Sequence, residues 1–322
     1  MISSFTNECT RALPNGFFVI SLDFELAWGS DSDPTRVEPY RRNLLGARDA
    51  IPRILDIFAQ YKIHATWAVV GFLFCSNRDE LLEILPVHKP AYENQRLSPY
   101  NYLDQIGRSE EDDPLHYAPS LIKLIKNYPD QEIGSHTFSH YYCLEPGQDI
   151  VAFEDDLRSA ILAARRIGIE LKSLVFPKNQ IRNDYLGICR QMGFIAYRGI
   201  PQRGYGFNPC QIIMLLRRAL RLADTYLPLT GNNFCIPRNE KKDVPVNVPA
   251  SRFLRPWSSS LKFLEPIRLR RIFSEMTSAA DIGTGYHLWW HPHNFGLNLE
   301  ENLATLKRIL DHFMRLREVV ST

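Results

Sequence analysis

At 322 residues with 45% apolar side chains, the chain can bury a large core, as one elaborated α/β domain or two smaller ones, and its formal charge of +2 makes no general case for nucleic-acid binding. Six cysteines (Cys9, Cys75, Cys143, Cys189, Cys210, Cys235) occur without any Cys-x-x-Cys pair, which argues against a zinc ribbon or a dithiol redox motif and fits free thiols in a reducing compartment. Residues 1–14 include Asn7, Glu8 and Arg11 and lack a secretory apolar core, and the longest apolar run, 63–75, is too short to span a bilayer, so the expectation is a soluble, cytoplasmic protein.

Residues 17–25, Phe-Phe-Val-Ile-Ser-Leu-Asp-Phe-Glu, are apolar on both strand faces and then acquire two carboxylates, the pattern of a buried parallel strand at its functional end. Asp23 and Glu25 share a face, with α-carbons roughly 7 Å apart at about 3.3 Å per residue. They either serve one site in two roles or cap the strand and pair with arginines. Residues 43–61 carry apolar side chains at helical spacing, interrupted by Pro52 where a kink or restart is expected. Residues 63–71 read as the next buried strand, giving a right-handed β-α-β unit in which His64 has a structural place only. Residues 77–119 are polar, contain Glu110-Glu111-Asp112-Asp113, and read as an insertion that shapes a pocket.

A helix is expected over 121–128, and Glu132-Ile133-Gly134 reads as a strand emptying into Ser135-His136-Thr137-Phe138-Ser139-His140. On a helical turn residues i and i+4 lie on one face, so His136 and His140 could aim two imidazoles at one metal ion; taken alone, such a pair is more often a surface or packing feature. Thr137 stands where a zincin helix needs its glutamate, which disfavours that class of protease. An amphipathic helix follows at 150–167, then a strand at 173–177 whose end carries Lys178, Asn179 and Gln180, a helix at 185–192, and a strand at 194–198 ending on Arg198.

Beyond Gly199 the alternation breaks, and 199–257 reads as a second insertion. Within it, 212–222 is a helical stripe with Arg217, Arg218 and Arg221; a second basic cluster, Arg268, Arg270 and Arg271, lies in a helix over 264–276. Either cluster suits a phosphate or an anionic membrane surface, although a solvated helix face is the simpler reading. The chain closes with Tyr286-His287-Leu288-Trp289-Trp290-His291-Pro292-His293-Asn294, a strand ending in two histidines, and an amphipathic helix over 299–316.

Four strand ends therefore deliver Asp23/Glu25, His136/His140, Lys178/Asn179/Gln180 and His291/His293. A carboxylate with two imidazoles makes a three-ligand metal site with an open position, leaving a second carboxylate as base and another histidine as acid.

With Ser21-Leu22-Asp23-Phe24-Glu25, Ala65-Thr66-Trp67-Ala68-Val69-Val70-Gly71, the two-histidine loop and Leu288-Trp289-Trp290-His291, the sequence resembles the polysaccharide deacetylase (NodB-homology) family over roughly 15–200 and 284–317. The resemblance implies a single catalytic domain over 1–322 built as a distorted (β/α) barrel, with insertions near 77–119 and 199–257. It implies hydrolysis of an N-acyl group, expected to be acetyl, from a sugar with one divalent ion, expected to be zinc. Residue by residue it implies Asp23 as base, His136 and His140 as metal ligands and His291 as acid; Glu25 completes the ligand set in an Asp-x-Glu variant of the usual paired aspartates. Lys178, Asn179, Gln180, Arg198, His293 and Asn294 are expected around the substrate.

Two departures stand out. Phe176-Pro177-Lys178-Asn179-Gln180 replaces the usual Arg-x-Pro-aromatic motif, so the arginine that orients the base is missing, with Lys178 or Arg198 as substitutes. The family's later Asp/Trp motif has no counterpart in 199–257. The expected substrate is a small nucleotide- or lipid-linked acylamino sugar, with no nucleic-acid partner and with peripheral membrane contact through the arginine clusters. Rival readings are a metal-free glycoside hydrolase acting through the two carboxylates, a deformylase or other amide hydrolase on the same fold, and a non-catalytic saccharide-binding relative.

Overall fold

Strands that are apolar on both faces need cover on both sides, which a parallel sheet wrapped by helices supplies. The computed structural model describes residues 16–30, 34–201, 220, 222–229, 231–239 and 241–320. Its sheet contains β1 (Phe17–Phe24), β2 (Ala65–Val69), β3 (Gln131–Ser135), β4 (Ser173–Val175), β5 (Ala196–Gly199), β6 (Val246–Pro249), β7 (Arg252–Phe253) and β8 (Gly285–Trp290). Their order is β6-β5-β4-β3-β2-β1-β8-β7, every pair parallel.

The ends of this sheet meet in one stretch of chain. Ala250 N–H donates to the Gly199 carbonyl (2.9 Å) on the β5 side, and the next residue, Ser251, donates to the His287 carbonyl (2.8 Å) on the β8 side. β6 and β7 are thus two halves of one bent strand that borders β5 and then β8. The hydrogen-bonded circuit closes, and the fold is a distorted (β/α) barrel.

Helices Arg41–Tyr61, Pro119–Asn127, Ile150–Arg166, Leu186–Gln191, Glu265–Asp281 and Leu299–Val320 pack around the strands. The first does not restart at Pro52, which lies inside an unbroken helix whose Leu44, Ile51, Ile54, Leu55 and Phe58 face the core. Lys62, in the left-handed region at φ 53°, ends it.

The polar insertion over 77–119 is less peripheral than its composition suggests. Tyr92, Leu97, Leu103, Ile106, Leu115 and Tyr117 are buried, and Tyr92 and Leu97 form an apolar cluster with Tyr142. Short helical turns space these residues irregularly, so no periodicity betrays them.

The basic cluster on Glu265–Asp281 differs from expectation too. Arg268 is buried and donates to Glu265 and the Arg255 carbonyl, while Arg271 is buried against Glu275, Asp224 and the Leu227 carbonyl. Their i,i+3 spacing puts both on the helix side that meets the chain near 224–231, so only Arg270 remains exposed to meet a phosphate. Arg217, Arg218 and Arg221 lie outside the described residues, as do residues 1–14. Cys75, Cys143, Cys189 and Cys235 are buried free thiols. Among the described residues no helix is long and apolar enough to cross a membrane.

Candidate active site

The carboxyl ends of the strands carry the chemistry, as in other barrels of parallel strands. Asp23 lies one residue from the end of β1, and Glu25 follows it at the entry to the 3-10 turn Leu26–Ser30. Both are buried. Gly29 of that turn lies under the Glu25 carboxylate; a Cβ there would sit 2.1 Å from Glu25 Cδ. The Gly29→Ala variant should therefore fold normally but displace Glu25 and weaken divalent-ion binding at least tenfold, as read by zinc titration; unchanged affinity would separate Glu25 from the metal.

His136 follows β3, its N–H donating to the Val69 carbonyl at 2.8 Å. Residues 136–140 are not a helical turn: Thr137 (φ 60°) and His140 (φ 58°) sit in the left-handed region. This backbone is held by Asp156 of the next helix, which accepts from Phe138 N (2.6 Å), Ser139 N (3.1 Å) and Ser139 Oγ. Convergence of the two imidazoles comes from that anchored loop instead of from helical periodicity.

The ring of His136 is oriented by a donor bond from Nδ1 to the Val175 carbonyl at 2.8 Å, which leaves the Nε2 lone pair facing the cavity. His136 Nε2 and His140 Nε2 lie 3.4 and 3.2 Å from Glu25 Oε2. Two imidazole nitrogens and one carboxylate oxygen meeting at a point are a donor set suited to zinc or a similar divalent ion.

Arg198 takes a place the sequence left open. On β5 it is paired in register with Val175 of β4, and its guanidinium reaches across to Asp23 in a two-pronged ion pair, 2.6 Å to Oδ1 and 2.7 Å to Oδ2. It also donates to Ser21 Oγ (3.1 Å) and Asn179 Oδ1 (3.3 Å), and lies over the Trp289 ring at 4.1 Å. Ser21 Oγ in turn is 2.8 Å from His287 Nε2. Arg198 therefore faces the carboxylate and not the open cavity.

His291, just after β8, is more open: Nε2 lies 3.4 Å from Glu25 Oε1 and 3.9 Å from Asp23 Oδ2. Its Nδ1 donates to Asn294 Oδ1 at 3.3 Å, and Asn294 Nδ2 donates to the Tyr40 hydroxyl. Lys178 and Asn179, both left-handed (φ 50° and 54°), line the cavity of about 270 Å³ together with Asp23, Glu25, Gly29, His136, His140, Trp289 and His291. Gln180 does not join them; it bonds Leu144 N and Glu145 Oε1 and braces the loop after His140. His293 is buried behind His291, ring on ring at 5.0 Å.

These environments set the charge states. Burial pushes the Asp23 carboxyl up, but Arg198, His136 and His291 together outweigh it and leave it below the usual carboxylate range. Burial likewise opposes ionisation of Glu25, yet His291, His136 and His140 hold it well below that range. Burial lowers His140 against the pull of Glu25, which favours the neutral imidazole a metal needs.

His287 and His293 are driven down to about 3 by burial, with Arg198 and His291 respectively as the next cause. Each binds its proton near pH 6.5 in the unfolded chain, so between about 3 and 6.5 the unfolded state is the better proton binder and stability falls as pH drops. Asp156 runs the other way: burial lifts it to about 6, and its contribution is lost as pH rises through that value. With two histidines against one carboxylate, the melting temperature should fall between pH 6.5 and 4, and fall less in His287→Gln. A melting temperature that holds steady across the interval contradicts this.

Sequence reasoning did not single out Gly29, Ser21, His287, Trp289 or Asp156. Gly29 had a readable signal, a glycine four residues from a ligand candidate; Ser21, His287 and Trp289 depend on contacts across the sheet, and Asp156 on the packing of its helix against the 138–139 loop.

The family model described as polysaccharide deacetylase matches residues 45–197. Over these residues the chain is similar to the polysaccharide deacetylase family. Its fold is shared with a Mycobacterium smegmatis protein assigned to the polysaccharide deacetylases (TM-score 0.57, 13% identity, 96% of this chain and 85% of that one). A Pseudomonas aeruginosa PAO1 protein with the same assignment (TM-score 0.54, 10% identity, 94% and 85% covered) and Puue allantoinase (TM-score 0.54, 11% identity, 95% and 86% covered) are similar in the same way. No curated protein matches the chain. Within the deacetylase match fall His136, His140, Lys178 and Asn179, whereas Asp23, Glu25, Arg198 and His291 lie outside it and reach the site through the barrel.

Proposed function

We propose that the protein is a metal-dependent hydrolase that removes an N-acyl group, acetyl first among them, from a sugar. The observation that carries this reading is the meeting of Glu25 Oε2, His136 Nε2 and His140 Nε2 beside an Asp23 that Arg198 keeps ionised. Glu25, His136 and His140 would hold the ion, which when bound supplies Lewis-acid polarisation of the acyl oxygen and a more acidic water. Asp23 accepts the proton of the attacking water; Arg198 fixes its carboxylate in the orientation this requires and excludes the protonated form. His291, its Nδ1–H held by Asn294, presents Nε2 to protonate the departing nitrogen. Lys178 and Asn179 would contact the sugar, with Trp289 as the apolar wall.

The finer reading is a compact substrate linked to a nucleotide or lipid phosphate and processed in the cytoplasm. Lys178 is the cationic group in the cavity that supports it; Arg268 and Arg271, turned inward, do not. The test is acyl release from chitin oligomers, nucleotide-linked and polyprenyl-phosphate-linked N-acyl sugars, before and after chelation and zinc return. Chelator-sensitive acetate release is the expected result. Chelator-resistant cleavage of the glycosidic bond would favour the glycoside hydrolase reading, formate release the deformylase, and no turnover of any substrate the non-catalytic relative. Turnover of oligomers alone would sink the phosphate-linked substrate.

A further inference from the structure

The two oxygens of Glu25 serve different neighbours. Oε2 faces His136 and His140 at 3.4 and 3.2 Å, whereas Oε1 faces His291 Nε2 at 3.4 Å. One ligand atom each from Glu25, His291 and His293 lie within 4.8 Å of one another, the span that also encloses Glu25, His136 and His140. His293 is 7% exposed, stacked on His291 at 5.0 Å and edge-on to Tyr40 at 5.4 Å. Among the described residues its imidazole makes these ring contacts and no hydrogen bond, and Glu25, Asp23 and His291 are its ionisable neighbours.

We propose that Glu25, His291 and His293 form a second divalent-cation site, joined through the Glu25 carboxylate to the site made by Glu25, His136 and His140. The proposal rests on the reading of that first site. Carboxylate-bridged ions sit roughly 3.5–4 Å apart, which the opposed oxygens of one glutamate accommodate. Two imidazoles and a carboxylate oxygen again suit zinc.

The second ion has a consequence for activity. It occupies the His291 Nε2 lone pair, so that nitrogen can no longer carry a proton to the leaving group, and it lies beside Asp23, whose Oδ2 is 3.9 Å from the same atom. One glutamate thus holds an activating ion on one oxygen and an inhibitory ion on the other, and zinc concentration sets which state prevails.

The test is a zinc titration of metal-stripped protein by equilibrium dialysis with elemental analysis, alongside His293→Phe, whose ring keeps the stack on His291 and Tyr40. Wild type should bind two equivalents, the second more weakly, and His293→Phe one. Acetate release by wild type should rise with the first equivalent and fall at least tenfold with the second; relative to its own maximum, the variant should show no such fall. One equivalent in wild type at millimolar zinc overturns the second site and leaves the first standing, and none overturns both. Two equivalents in both proteins remove His293 from the site and overturn the proposal. Should His293→Phe fail to fold, anomalous scattering from zinc-soaked wild-type crystals decides, by two peaks flanking Glu25 or one.

Discussion

Replacing Asp23 with Asn is expected to lower acyl release by about 10²-fold or more while zinc stays bound, the scale of a lost general base. Asn is nearly isosteric and still accepts one hydrogen bond, but it cannot take a proton from water, and it breaks the two-pronged pair with Arg198. The guanidinium is then left buried without a counter-charge, so a stability loss of a few kcal/mol should accompany the loss of turnover. Glu25→Gln separates the roles: it should weaken zinc binding first and activity as a result. Measured together, kcat and bound zinc for the two variants decide the assignment. Full metal loss in Asp23→Asn with zinc retained in Glu25→Gln would exchange the two carboxylates, and normal turnover in both would reject the mechanism.

His136→Ala is expected to abolish stoichiometric zinc binding and with it nearly all activity. On a tetrahedral ion three protein ligands leave one position open for water, and removing one of three typically collapses affinity, since the remaining pair no longer fixes the geometry. His136 is also the better anchored of the two imidazoles, tied through Nδ1 to Val175 and through its backbone to Val69, so it supplies most of the preorganisation. Elemental analysis after gel filtration checks this. A variant that retains one zinc per chain would place the ion elsewhere.

Much of this was written in the sequence. Apolar runs on both strand faces, separated by amphipathic helices, required a parallel sheet with covered faces. Polar residues clustered at the ends of those runs marked the rim of the barrel, because carboxylates and imidazoles there are out of keeping with the apolar segments that precede them. Asp23, Glu25, His136, His140 and His291 could all be picked out in this way, since each lies at the end of a strand of strong local pattern or in the loop that leaves it.

What tertiary structure alone decided has a common cause: it depends on register between strands far apart in sequence. The sequence left Lys178 and Arg198 as alternatives for orienting Asp23, and the choice falls on Arg198 because β5 pairs with β4 so that Arg198 stands beside Val175 and reaches the carboxylate. Closure of the barrel depends on one peptide step, Ala250 to Ser251, at which a single strand exchanges β5 for β8 as its partner. The convergence of His136 and His140 comes from two left-handed residues stabilised by Asp156, a backbone choice that favourable local propensities would not select and that distant hydrogen bonds impose. The inward turn of Arg268 and Arg271 is of the same kind: the helix period puts them on one side, but only packing against residues 224–231 makes that side the buried one.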